Sequence, residues 1–206
     1  REARRPSFGP RPARPSAVLV TSSPASRKFR TRVFPGIDAV LWDDWRWQLR
    51  NRFPAPRQRS RVLALTDDER VALARLRGMP VAVTPYYASL IVSGGDSHPL
   101  RRSVVPTCAE FTTSDGEDDD PLDEDDMSPM PGLVHRYPDR VLFLATGKCS
   151  VNCRYCTRSR VVAHGHLKPN IERWGRAIAY VADHPEVRDV LISGGDPLTM
   201  SNHRLE

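Results

Sequence analysis

Hydrophobic positions follow two regimes along this chain. Between residues 38 and 92 they recur at helical spacing, and from residue 141 they come in short continuous runs of strand length. In DAVLWDDWRWQLRNRF (38–53), Val40, Leu41, Trp45 and Leu49 stand near a 3.6-residue period, and Trp42 and Trp47 widen the stripe. One helix is predicted there, ended by Pro54 and Pro56. Thr66 opens T-D-D-E, a capping box with Glu69 three residues after the cap. The helix it starts is predicted to run through Val71, Leu73 and Leu76 to Gly78. Thr84-Pro85 opens a third helix, PYYASLIV, which stops at Ser93-Gly94-Gly95. These segments predict a small helical domain over residues 36–112 whose aromatics form its core.

Val141–Ala145 (VLFLA) is apolar throughout and reads as a strand buried on both faces, as in a parallel sheet. Residues 171–183 (IERWGRAIAYVAD) predict an amphipathic helix with Trp174, Ile178 and Val181 on one side. Val187 to Ser193 predicts a second buried strand, and Gly194-Gly195-Asp196-Pro197 turns away from it. Strand, loop, helix and strand make one βαβ unit, so residues 128–206 are expected to be α/β. In such sheets and barrels the chemistry sits on loops at the strands' C-terminal ends.

Charge changes the picture at two places. The chain has 206 residues and a formal net charge of +6. Residues 1–32 hold nine Lys or Arg against one acid, Glu2, interleaved with prolines, and a disordered basic tail is predicted over 1–35. Residues 115–126 (DGEDDDPLDEDD) hold nine acids and no base, which predicts a solvated acidic loop over 113–127. No nucleic-acid partner is expected, because no aromatic or glycine pattern accompanies the basic tail. No apolar run is long enough to span a bilayer and no secretory signal is evident, so a cytoplasmic setting without a membrane partner is expected.

The candidate chemistry lies in KCSVNCRYCTRSR. Cys149, Cys153 and Cys156 form C-x3-C-x2-C, with Tyr155 before the last cysteine. Three thiolates within eight residues can hold three corners of an iron–sulfur cube and leave the fourth iron open, the pattern of radical S-adenosylmethionine enzymes. The alternative is a structural zinc site with Cys108, His164 or His166 as fourth ligand, in a protein without catalysis. The neighbouring Lys148, Arg154, Arg158 and Arg160 are expected to lower the thiol pKa values. SGGD occurs at 93–96 and at 193–196. Only the second copy follows a buried strand, and there the glycines are expected to let backbone amides approach a ligand.

Four runs, WDDWRWQLRNR (42–52), TPYYASLI (84–91), SPMPGLVHRYPDRVLFLATGKCSVNCRYCTRSR (128–160) and VRDVLISGGDPL (187–198), closely resemble the lysine 2,3-aminomutase family. The resemblance covers most of residues 38–206. It implies the first βα units of a TIM-like radical S-adenosylmethionine barrel after the helical region. It also implies a 4Fe–4S cluster, S-adenosylmethionine, pyridoxal 5′-phosphate and movement of an amino group from the α- to the β-carbon of lysine.

By the same resemblance, Cys149, Cys153 and Cys156 hold the cluster. Tyr155, Gly194, Gly195 and Asp196 face S-adenosylmethionine, Arg136, Tyr137 and Arg140 lie near the pyridoxal phosphate, and Arg158 engages the substrate carboxylate. Val151, Asn152 and Ser159 depart from the residues the family pattern leads one to expect. Family members continue through further βα units, so the lysine that binds pyridoxal phosphate and the acids that read the distal ammonium are expected after Glu206. These 206 residues alone are therefore expected to be inactive. An electron donor such as flavodoxin or ferredoxin and a homo-oligomeric full-length enzyme are implied too. Lysine is the first expectation for the substrate. A relative acting on glutamate, arginine or a protein lysine is the alternative.

Overall fold

The structure, a computed structural model, describes residues 22–53, 62–76, 78–92, 94–162 and 167–205. The first described element corrects the disordered-tail expectation for its last part. Pro24–Val33 is a helix, α1, capped by the Ser23 hydroxyl, which accepts from the Ser26 N–H. Its Phe29 enters an aromatic cluster 6.3 Å from Trp42 and 6.5 Å from Phe34, centroid to centroid, and the buried Ser26 hydroxyl accepts from Ser89. One aromatic anchor and a buried hydroxyl pair are enough to order a segment that its composition marks as solvated.

The helix expected over 38–53 is two helices, α2 (Ala39–Asp43) and α3 (Trp45–Arg50). Asp44 divides them. Its backbone is extended, and its carboxylate accepts from the N–H groups of Arg46 and Trp47, starting a new helix where the first would have continued. The break rotates the stripe. Trp42 and Trp47 are buried in the core, whereas Val40 is 82% exposed. Pro54 and Pro56 lie outside the described residues.

Helix α4 (Asp67–Arg75) carries the expected capping box, with both reciprocal hydrogen bonds present. It ends at Leu76, earlier than Gly78, and buries Ala72 and Leu73 while Val71 faces solvent. Helix α5 (Pro85–Ile91) begins on Thr84 as expected. A short helix, α6 (Pro99–Arg102), brings Arg101 into a buried ion pair with Glu69 at 2.6 Å.

Three strands form one sheet among the described residues, in the order β1 (Leu133–Tyr137), β2 (Arg140–Thr146), β3 (Asp189–Gly194). β1 and β2 form an antiparallel hairpin in which Tyr137 pairs with Arg140, so Pro138-Asp139 is the turn. The hydrophobic pattern did not predict β1. β2 and β3 are parallel, Val141 opposite Val190 and Thr146 opposite Gly194, as a βαβ unit requires. The connecting helix, α7, spans Ile171–Asp183. It packs Ala177, Tyr180 and Val181 against Leu133, Val141 and Phe143, which leaves Ile178 exposed, contrary to the face expected for it.

β3 corrects a second expectation. It is not buried on both faces here, since Leu191 is 65% exposed and Val190 and Ile192 are also open. Among the described residues nothing pairs with its outer edge. No helix among these residues is long and apolar enough to cross a membrane.

Candidate functional site

β2 ends at Thr146, and the loop carrying Cys149, Cys153 and Cys156 follows at once. The helical region holds this loop by its backbone. Arg52 donates to the Cys149 carbonyl at 2.7 Å, and the Asn152 N–H reaches the Ala82 carbonyl at 3.1 Å. The Asn152 side-chain amide donates to the Pro80 carbonyl at 2.9 Å. The Arg154 N–H donates to the Ser103 carbonyl at 2.8 Å, and its guanidinium to the Met79 carbonyl at 2.7 Å. Val151 packs on the helical core. Two of the three residues expected to depart from the family pattern, Val151 and Asn152, are thus anchors of the loop.

All three cysteines are free and partly exposed. At Cys149 and Cys153 the expected lowering of the thiol pKa does not occur. Burial, then the neighbouring Cys156, Asp196 and Cys153, pushes Cys149 up to about 11 despite the opposing pull of Arg52. Burial and Cys156 push Cys153 up as well. Arg154 pulls Cys153 down but does not outweigh burial, and carboxylates hold all three arginines that follow the cysteines. Arg154 pairs with Glu110 at 2.7 Å, Arg158 with Glu124 at 2.6 Å, and Arg160 with Asp120 at 2.7 Å.

Three free thiols that interact electrostatically on one externally braced loop fit a group with three thiolate corners. Among the described residues no three His, Cys, Asp or Glu side chains close around a single-ion position. Cys108 stands elsewhere, on the 3₁₀ turn Cys108–Phe111 with its sulfur against the Asp68 carbonyl. His164 and His166 lie outside the described residues.

The turn after β3 lies against the same loop. The N–H of Gly195 donates to the Thr146 carbonyl at 2.5 Å, and that of Asp196 to the Lys148 carbonyl at 2.8 Å. The N–H groups of Gly195 and Asp196 thereby tie the two strand ends together and are not free for a ligand. Both glycines are needed for the approach. Gly194 has φ +118°, and a Cβ on it would lie 2.1 Å from the Thr146 oxygen. A Cβ on Gly195 would lie 2.5 Å from the Lys148 oxygen. The Asp196 carboxylate accepts from Leu198 N–H at 3.0 Å and from the Ser150 hydroxyl at 3.4 Å. Asp196 and Ser150 also line an 870 Å³ cleft with Trp42, Trp45 and Tyr86. Of the earlier copy, Ser93 is outside the described residues, and the Gly94 N–H closes onto the Ile91 carbonyl as a helix end.

Arg136, Tyr137, Arg140 and Arg158 come together around a second cavity of about 430 Å³, beside β1 and β2. Arg140 pairs with Asp139 at 2.9 Å and lies over the Tyr137 ring, 5.6 Å from its centroid. Tyr155 is 75% exposed on the cysteine loop and does not line this cavity.

Most of the acidic segment is exposed, as a solvated loop would be, but Glu124 and Asp120 depart from that expectation. Glu124 is buried and bound to Arg158, and Asp120 and Asp125 both hold Arg160. The Leu122 carbonyl accepts from Arg136 at 2.7 Å. Burial alone would raise the Asp120 pKa. The backbone N–H groups of Asp125, Glu124 and Leu122, with Arg160, instead hold it below the usual carboxylate range. Sequence reasoning missed Glu124 and Arg52 as parts of the site, and it took Arg154 only for its charge and Asn152 only as a departure from the family pattern. The available signal was the density of arginines downstream of an acidic segment without a base.

No family model matches the chain. Among curated proteins it is similar to L-lysine 2,3-aminomutase of Fusobacterium nucleatum, 43% identical over 178 residues, which is 86% of this chain and 42% of the relative. L-lysine 2,3-aminomutase of Clostridium subterminale is 42% identical over 178 residues, 86% of this chain and 43% of that protein. The Escherichia coli L-lysine 2,3-aminomutase is 35% identical over 166 residues, 80% of this chain and 48% of the relative. The chain therefore spans less than half the length of these relatives. With the cysteine loop and the Gly-Gly-Asp turn at adjacent strand ends, the chain is thus similar over most of its own length to L-lysine 2,3-aminomutases.

Proposed function

We propose that this chain carries the cluster-binding part of a radical S-adenosylmethionine aminomutase that converts L-lysine to L-β-lysine. The observation that carries the reading is the braced C-x3-C-x2-C loop at the C-terminal end of β2, bonded to the Gly-Gly-Asp turn at the end of parallel β3. Strand ends of this kind are where α/β sheets and barrels place their chemistry. We read the β2–α7–β3 unit as the opening of a (β/α) barrel whose later units cover the exposed face of β3.

Each residue then has a task. Cys149, Cys153 and Cys156 hold the 4Fe–4S cluster, and Arg52 and Asn152 keep their loop in register. Gly194 and Gly195 allow the two strand ends to meet, which sets Asp196 beside Ser150 to accept from the amino group of S-adenosylmethionine, with Tyr155 near its adenine. Arg136 and Arg140, with Tyr137, supply the charge that a phosphate dianion requires. Arg158 receives the substrate carboxylate. When bound, the cluster with S-adenosylmethionine supplies a carbon radical able to remove a β-hydrogen, and pyridoxal phosphate supplies a π-system that delocalises the unpaired electron. A flavodoxin or ferredoxin is the proposed electron donor and a homo-oligomer the proposed assembly.

The experiment is anaerobic reconstitution of the complete gene product with iron and sulfide, followed by EPR and an assay of β-lysine formation. A reducible 4Fe–4S signal that is lost in Cys153→Ser, together with β-lysine production, supports the reading. A colourless, zinc-loaded protein sinks it. Glutamate and arginine run in parallel identify a different substrate in the same family.

A further inference from the structure

We propose that Glu124, in the acidic segment, is the positioning residue that sets Arg158 for the carboxylate of the amino-acid substrate. The inference rests on the substrate-binding role proposed above for Arg158. Glu124 takes the guanidinium along one edge. Its two oxygens each lie 3.0 Å from Nε, and Oε1 lies 2.6 Å from Nη2. Nη1 has no partner among the described residues, so this side of the planar fork remains available to a second carboxylate. An arginine gripped along one edge loses most of its rotational freedom before the substrate arrives, so less is lost on binding.

Glu124 is itself held in place. Its side chain is only 7% exposed, and its carbonyl accepts from the Ser128 hydroxyl at 2.6 Å. The turn before it closes on Asp120, whose carboxylate takes the Asp125 N–H at 2.8 Å and is paired with Arg160. Three acids and two arginines thus form a clasp, and its Glu124 and Arg158 line the second cavity with Arg136 and Arg140. Glu124 also offsets one of these three positive charges, which lowers their mutual repulsion.

The test uses Glu124→Gln in the complete gene product and two ligands, the amino-acid substrate and the amine that lacks its carboxylate. A positioning role predicts a KM for the amino acid raised about tenfold or more with kcat within about threefold of the wild type. In calorimetric titration the amino acid should bind correspondingly more weakly, while the amine binds as it does to the wild type. Glu124→Asp, which keeps the charge, should recover part of the loss and serves if the Gln variant fails to fold. An unchanged KM overturns the inference. So does an equal weakening of both ligands, which marks a role confined to folding. If the wild type turns over no amino acid, the aminomutase reading itself fails and the Glu124 role fails with it. If the wild type is active and Glu124→Gln matches it, only the Glu124 inference is lost.

Discussion

Arg52 and Cys149, 97 residues apart in the chain, are joined by a 2.7 Å hydrogen bond from the guanidinium to the cysteine's carbonyl. Burial lowers the pKa of Arg52 from its ordinary value, and the neighbouring cysteine acts against that shift. The bond makes the helical region part of what holds the cysteine loop. Replacing Arg52 with Met should cost about 1.5–3 kcal/mol, the range for hydrogen bonds from charged donors. Urea unfolding of the apoprotein measures that cost. Iron per chain after gel filtration should fall as well, and the midpoint potential of the remaining cluster should become more negative because a nearby cation is gone.

Gly195→Ala should damage the site without touching a ligand. Its Cβ would stand 2.5 Å from the Lys148 carbonyl oxygen, a backbone atom immediately before Cys149. Overpacking of this kind costs about 1–3 kcal/mol. The expected outcome is a lower unfolding midpoint together with weaker iron retention. Gly175, on the open face of α7 with nothing within 4 Å of its Cβ position, provides the control, and Gly175→Ala should leave both properties unchanged or slightly improved.

The Glu69–Arg101 pair ties α4 to α6 with both side chains buried, and Glu69 also closes the capping box on Thr66. Glu69→Ala leaves a buried guanidinium without its carboxylate and should cost about 3–5 kcal/mol. Arg101→Met, which removes the charge while keeping the volume, should cost less than the opposite truncation does. Thermal unfolding of the two variants gives the comparison.

Acid should loosen the clasp around Arg160. The pKa of Asp120 is depressed in the folded chain. Its contribution to stability is therefore present above the unfolded value of about 3.9 and is lost as pH falls through the lower folded value. Hydrogen exchange of residues 120–125 should be flat from neutral pH down to about 4, after correction for intrinsic rates, and should rise below that. In Asp120→Asn the protection should be weak at every pH.

Much of the local structure was legible in the residue pattern. The capping box at Thr66, the helix after Thr84, the helix over 171–183 and the parallel pairing of the two apolar runs all follow from short-range chemistry. The cysteine spacing likewise named the candidate cluster ligands. Where the pattern failed, one local cap and one contact between distant residues had decided the outcome. Asp44 restarted a helix and turned Trp42 and Trp47 inward, and Phe29 ordered part of a segment that composition marked as a tail.

Sequence alone determined which side chains could carry this chemistry, because thiol spacing, glycine pairs and arginine clusters are local properties of the chain. Only the tertiary structure decided what each of them faces. The arginines that follow the cysteines meet Glu110, Glu124 and Asp120, and burial outweighs the pull of Arg52 on Cys149 and of Arg154 on Cys153. The amides of Gly195 and Asp196 close onto the end of β2, and three acids of the acidic segment form a clasp with two arginines. The reason is that a charge or an amide takes its partner from whatever the fold brings within about 3 Å, and that neighbour lies tens of residues away in the chain.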